Sequence, residues 1–168
     1  MGTSDQSNQP WVVEQLQNLN LTSMLDVGAG SGTYGHVFAQ HLPDVERFAV
    51  EAWEPHLNDF GLRDLYNNVY NIDVRQHDDF AYDIVIFGDI LEHMTKEEAL
   101  AVWDKVSKQA KYALIAIPII HYPQGALYGN PFEVHVKDDW THEEVLSTFP
   151  EIETFITGAV VGSYLAKF

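Results

Sequence analysis

The sequence contains no cysteine, which excludes disulfides, thiolate metal sites and cysteine nucleophiles. Basic residues are scarce as well. Nine Lys and Arg stand against 25 Asp and Glu, a formal charge of −16, so the phosphates of DNA or RNA meet repulsion and a nucleic-acid partner is not expected. The acidity fits solubility or a cationic partner and does not by itself name a substrate. Long apolar runs are also missing: none approaches the roughly 20 residues needed to cross a bilayer. The polar start Met1-Gly2-Thr3-Ser4-Asp5 has neither the basic nor the apolar region of a signal peptide, so no membrane partner and a cytoplasmic location are expected. No Gly-x-Ser-x-Gly elbow occurs, which removes the usual serine-hydrolase arrangement.

What is present is enough apolar material for a folded domain: 46% of the 168 residues are hydrophobic and 12% aromatic, ample for one core. Residues 1–20 read as a polar tail followed by a helix over 10–19, with Pro10 suited to a first helical turn. Residues 21–168 read as the main domain. Strands are expected over 23–27, 47–51, 69–73, 82–88 and 112–117, the fourth a nearly continuous apolar run of the kind covered on both faces. Helices are expected over 33–42 and 55–66. Two more open at Thr95-Lys96-Glu97-Glu98 and Thr141-His142-Glu143-Glu144, each with the Thr-x-x-Glu spacing of a capping box. A loop of about twenty residues follows the fifth strand, longer than most connections and for that reason a functional candidate. Residues 152–168 are rich in β-branched and aromatic residues and read as a hairpin broken at Gly158 and Gly162. Five β/α units and a hairpin give an α/β fold with a mostly parallel sheet.

The stretch Met24-Leu25-Asp26-Val27-Gly28-Ala29-Gly30-Ser31-Gly32 is the strongest local signal. A buried-strand pattern runs into an acid and three alternating glycines, and a helix pattern follows. Such a turn brings backbone close to a ligand, and the helix start aims free N–H groups at it. Counted from Gly30, the segment Gly30-Ser31-Gly32-Thr33-Tyr34-Gly35 satisfies the dinucleotide fingerprint, with Glu51 nineteen positions after Gly32 as the ribose acid. That phase leaves Asp26 next to a pyrophosphate, where a carboxylate is unwelcome. Asp-x-Gly-x-Gly-x-Gly instead resembles the first motif of the class I, Rossmann-like S-adenosylmethionine-dependent methyltransferases. Gly88-Asp89-Ile90-Leu91-Glu92-His93-Met94 strongly resembles the segment after strand four of many small-molecule members of that family, and the β/α order is similar over nearly the whole chain from Leu21.

The resemblance implies a seven-stranded, mostly parallel sheet with a C-terminal antiparallel hairpin and helices on both faces. It also implies a cofactor, S-adenosylmethionine, with S-adenosylhomocysteine as product. Asp26 then lies near the cationic methionine end, with Gly28, Gly30 and Gly32 passing beneath it. Glu51 accepts hydrogen bonds from the ribose hydroxyls, Asp73 accepts from the adenine amine with Val74 beside the ring, Trp53 flanks the adenosine, and Asp89 completes the set. The implied reaction is methyl transfer to a small-molecule acceptor with a hydroxyl or amine, such as a sugar or natural product. His93 is the first candidate base, with His121 and His135 of the long loop in reserve. Gly129-Asn130-Pro131-Phe132-Glu133 with His135 also looks like a segment of several sugar and natural-product methyltransferases. His121, His135 and Glu133 lack the fixed spacing of a metal site, and no metal is expected. The Asn-Pro-Pro-Tyr or Asp-Pro-Pro-Tyr run resembling amino-methylating DNA enzymes is absent. Two readings of other kinds stand beside this one: a non-catalytic protein of the same fold that keeps the cofactor site and binds a partner, and an NAD-dependent oxidoreductase.

Overall fold

The computed structural model describes residues 6–168; the first five residues of the polar start, expected to be unstructured, lie outside them. Seven strands form one sheet: β1 (Ser23–Val27), β2 (Glu46–Val50), β3 (Asn68–Tyr70), β4 (Ile84–Gly88), β5 (Tyr112–Pro118), β6 (Ile152–Thr157) and β7 (Val161–Lys167). Their order is β3-β2-β1-β4-β5-β7-β6. The first five run parallel, and β7 lies antiparallel between β5 and β6. The strand order therefore reverses between β1 and β4, the place where open α/β sheets bind ligands.

Alternating side chains send the sheet's apolar residues into two layers. Met24, Ala49, Ile84 and Ile86 pack with α1 (Gln9–Gln17), α2 (Thr33–His41), α3 (Glu54–Asp59) and α4 (Leu62–Leu65), through Leu16, Phe38, Leu57 and Leu62. Leu25, Val85, Phe87 and Ile115 pack on the other face with α5 (Lys96–Ser107) and α6 (His142–Thr148), centred on Trp103 and Val145. The implied architecture, helices on both faces of a mostly parallel sheet with a terminal hairpin, is the one observed.

Departures from the sequence reading have local causes. The helix expected over 55–66 is two short helices, because Gly61 sits between them in the left-handed region at φ +61°. The strand expected over 69–73 stops at Tyr70: Asp73 instead caps a 3-10 turn, Val74–Gln76, by accepting the Arg75 N–H at 2.9 Å. The second strand is shifted back by one residue, which puts Glu51 just past its end. Gly162 breaks nothing; it lies inside β7, where a Cβ would collide with the Tyr164 ring.

The two Thr-x-x-Glu motifs differ in outcome. At Thr95 the box closes in both directions, at 3.2 Å and 2.9 Å. At Thr141 only half forms: the hydroxyl accepts the Glu144 N–H at 3.1 Å. The Glu144 carboxylate is held by Lys96 and Lys137, each at 3.0 Å. That pair of ion bridges ties α6 to the start of α5 and to the long loop.

Candidate cofactor and acceptor site

A cavity of about 220 Å³ opens over the carboxyl ends of the parallel strands, at the reversal between β1 and β4. Three of its walls come from strand ends: the turn after β1, Glu51 after β2, and Asp89 after β4. The turn demands glycine at its first position, since Gly28 has φ +67° and a Cβ there would overlap the Ile90 side chain. Gly30, at φ +52°, faces open space: a Cβ would meet nothing nearer than the Gly28 carbonyl at 3.8 Å. Gly32 caps α2 and is packed against Leu65 and Leu62, away from the cavity lining.

Glu51 is buried and organises this end. Its Oε2 accepts the Gly30 N–H at 2.8 Å and its Oε1 the Trp53 N–H at 2.7 Å, with His56 Nδ1 at 3.5 Å. The Glu51 carboxylate beside it raises the His56 imidazole above its ordinary value, against burial. Trp53 caps α3 and does not line the cavity. Asp73 and Val74 do line it. Burial works against ionisation of Asp73, but the Arg75 guanidinium and N–H outweigh it and hold the carboxyl below its ordinary value.

Asp26 sits inside β1, 2% exposed, and burial pushes its carboxyl up to about 7. The Tyr66 hydroxyl donates to Asp26 Oδ2 at 2.5 Å and opposes the shift, while the charge of Glu51 adds to it. Tyr34 closes the same region, and its phenol is raised by burial and by Asp89 and Asp26. Asp89 takes a left-handed backbone at φ +52°, with its N–H donated to the Ala116 carbonyl at 2.8 Å.

The other half of the cavity is built by the turn Leu91–His93 and the loop after β5. The Glu92 carbonyl accepts the N–H groups of Val136 and Lys137 at 2.9 and 3.0 Å, which pins the loop over the turn. The Glu92 side chain is buried, and burial with the charges of Asp89 and Glu133 raises it well above an ordinary carboxyl. His93 Nδ1 lies 3.1 Å from the Val134 carbonyl, and burial lowers its pKa to about 4. His135 reaches the cavity beside it, the two rings meeting edge to face at 4.9 Å. His121 does not. Its side chain is 70% exposed, 3.4 Å from Asp138, and outside the lining.

The structure thus gathers Asp26, Gly28, Gly30, Glu51, Asp73, Val74, Asp89, His93 and His135 around one space, and leaves Gly32, Trp53 and His121 outside it. Sequence reasoning missed Tyr34, Tyr66, His56 and Glu92. Only Glu92 carried a signal, as the middle residue of the Leu91-Glu92-His93 triplet.

This strand order, with a glycine turn after β1 and an acid after β2, is the class I, Rossmann-like methyltransferase fold. The methyltransferase domain of bacterial CtHen1 superposes with a TM-score of 0.74 at 16% identity, covering 97% of this chain and 98% of that one. The N-terminal domain of EvdMO1, with SAH bound, gives 0.67 at 17% identity over 98% of this chain and 82% of that one. The mitomycin 7-O-methyltransferase MmcR gives 0.67 at 12% identity over 96% and 54%. The chain spans little more than half the length of several of the proteins it matches. No protein-family model and no curated protein matches the sequence. Among the described residues, no helix is long and apolar enough to cross a membrane.

Proposed function

We propose that this chain binds S-adenosylmethionine and transfers its methyl group to a small-molecule acceptor bearing a hydroxyl or amine. The observation that carries the reading is the acidic lining of the cavity: Glu51, Asp73, Asp89 and Glu133, with the buried carboxyls of Asp26 and Glu92 that a cation would help to ionise, stand against Arg75 and the imidazole of His56. Such a space favours a ligand with positive groups and no phosphate. The same charge weighs against the dinucleotide reading, because a pyrophosphate would lie over Asp26 and Glu51.

The residues fit the cofactor. The open side of Gly30 leaves room for it, and the buried Asp26 carboxyl gains a counter-charge from an ammonium or sulfonium. Glu51 retains lone pairs beyond its two backbone bonds and would hold the ribose hydroxyls, with Asp73 and Val74 at the adenine. Bound S-adenosylmethionine supplies a methyl group already made electrophilic by its sulfonium. The protein's part is to exclude water and place the acceptor, and positioning alone contributes up to about 7–11 kcal/mol in well-oriented systems. His93, neutral at pH 7 with Nδ1 facing a carbonyl, can accept a hydrogen bond from an acceptor hydroxyl. Its depressed pKa makes it a weak proton acceptor, so it orients more than it deprotonates.

Calorimetric titration separates the readings. Binding of S-adenosylmethionine and S-adenosylhomocysteine without NAD binding is expected; NAD binding alone would overturn the proposal. Screening hydroxylated and amine metabolites for S-adenosylhomocysteine production then finds the acceptor, and tight cofactor binding without turnover on any of them would favour the non-catalytic reading.

A further inference from the structure

Glu92, His93 and His135 each present one ligand atom, and these three atoms lie within 4.8 Å of one another. This is a different set from the His121, His135 and Glu133 grouping considered in the sequence, from which His121 is removed by its exposed position. From this juxtaposition we infer that the acceptor half of the cavity is a binding site for one divalent first-row transition-metal ion.

Two observations besides proximity support it. Both imidazoles turn Nδ1 to a backbone carbonyl, His93 to Val134 at 3.1 Å and His135 to Tyr122 at 2.5 Å. A carbonyl only accepts, so Nδ1 carries the proton and Nε2 keeps the lone pair. That second bond to the opposite ring nitrogen is the arrangement which orients metal-ligating histidines. Independently, Glu92 is 2% exposed, lines the cavity, and has an Oε2 without a hydrogen-bond partner among the described residues. A buried carboxyl oxygen left unpaired is costly, and a cation shared with two imidazoles would give it a partner and favour its ionised form.

Two imidazoles and one carboxylate suit the range from Mn²⁺ to Zn²⁺ better than Mg²⁺ or Ca²⁺, which prefer oxygen. Three protein ligands also leave positions open toward the cavity. On the methyl-transfer reading, an acceptor hydroxyl or amine would fill one of them beside the cofactor half of the same space, and with the ion bound His93 would hold the acceptor through the metal and not by a direct hydrogen bond. The metal site itself does not depend on that reading.

Cobalt is the probe, since its visible absorption reports ligand number and type without turnover. Titrating Co²⁺ into the whole chain should give one ion per molecule with a d–d spectrum. Loss of an outer-shell partner weakens metal sites by about 10–100-fold, so His135→Ala, which removes a ligand, and Glu92→Gln, which removes the anionic one's charge, should weaken binding by at least about tenfold. His121→Ala, removing an exposed histidine of the same loop, should leave it unchanged. No spectral change up to millimolar Co²⁺, or equal binding in His135→Ala and the unaltered protein, would overturn the inference. His135 lies on the loop, so its variant keeps the test usable if Glu92→Gln fails to fold. Cofactor calorimetry on the same samples distinguishes a failed metal site from a failed methyltransferase reading.

Discussion

Tyr66, at the end of α4, donates its hydroxyl to Asp26 Oδ2 in β1 at 2.5 Å and accepts the Gly35 N–H at 3.0 Å. Gly35 is the third residue of α2, so its N–H is among those that a helix start leaves without an internal partner. A single phenol therefore serves the helix terminus and the strand acid together. It also explains a glycine: a Cβ on Gly35 would overlap the Tyr66 ring. Tyr66→Phe should lower unfolding free energy by about 1–3 kcal/mol, the cost of leaving buried polar groups unpaired. Urea denaturation with an unchanged slope checks it.

The Asp26 carboxyl gives a pH prediction. Because its pKa in the folded chain is raised to about 7, the protonated form is favoured by folding. Its contribution to stability is full below the ordinary carboxylate range and is lost as the pH rises through 7. A cationic cofactor prefers the ionised form, so affinity should move the opposite way, rising between about pH 5.5 and 7.5 by up to about tenfold per unit below the pKa. Calorimetry in buffers of different ionisation enthalpy should show proton release on binding in that window. Asp26→Asn should flatten the dependence.

Glu51 already spends part of its carboxylate on the Gly30 and Trp53 N–H groups. Glu51→Ala should therefore weaken S-adenosylmethionine binding by about 1.5–3 kcal/mol, the range for hydrogen bonds to a charged group, and also loosen the glycine turn. Glu51→Gln retains one oxygen acceptor and should lose less of both. Equal affinity in a folded Glu51→Ala protein would remove Glu51 from the cofactor site.

Gly30→Val tests the open side of the turn. The left-handed backbone at φ +52° would strain a β-branched residue by about 1–3 kcal/mol, and the side chain would take up cavity space. Cofactor binding should be nearly abolished, with a thermal midpoint that falls but still shows a cooperative transition.

Local pattern was enough for much of the chain. The limits of β1 and the Thr95 capping box follow from strong signals: an apolar strand stopped by a glycine turn, and a hydroxyl and carboxylate three residues apart. That Asp26, Glu51, Asp73 and Asp89 would meet in one cavity was legible because each lies in or soon after the end of a parallel strand, and parallel strands bring their ends to one edge of the sheet. Where a side chain found a distant partner, the sequence misled. Thr141-x-x-Glu144 is half a box because Lys96 and Lys137, remote in the chain, compete for Glu144. Asp73 misled for a local reason: past the end of β3 it caps a 3-10 turn by accepting the N–H of Arg75, two residues on.

The tertiary structure alone decided how the histidines divide. The sequence puts His93 first and leaves His121 and His135 of the long loop as equal reserves. Folding the loop after β5 over the Leu91–His93 turn puts His135 against His93 and leaves His121 in solvent. It also buries Glu92 beside them, and brings Tyr66 under Asp26 across forty positions of chain. Periodicity and spacing report which face a residue occupies on its own element; which residue of another element meets that face is fixed only when the layers pack.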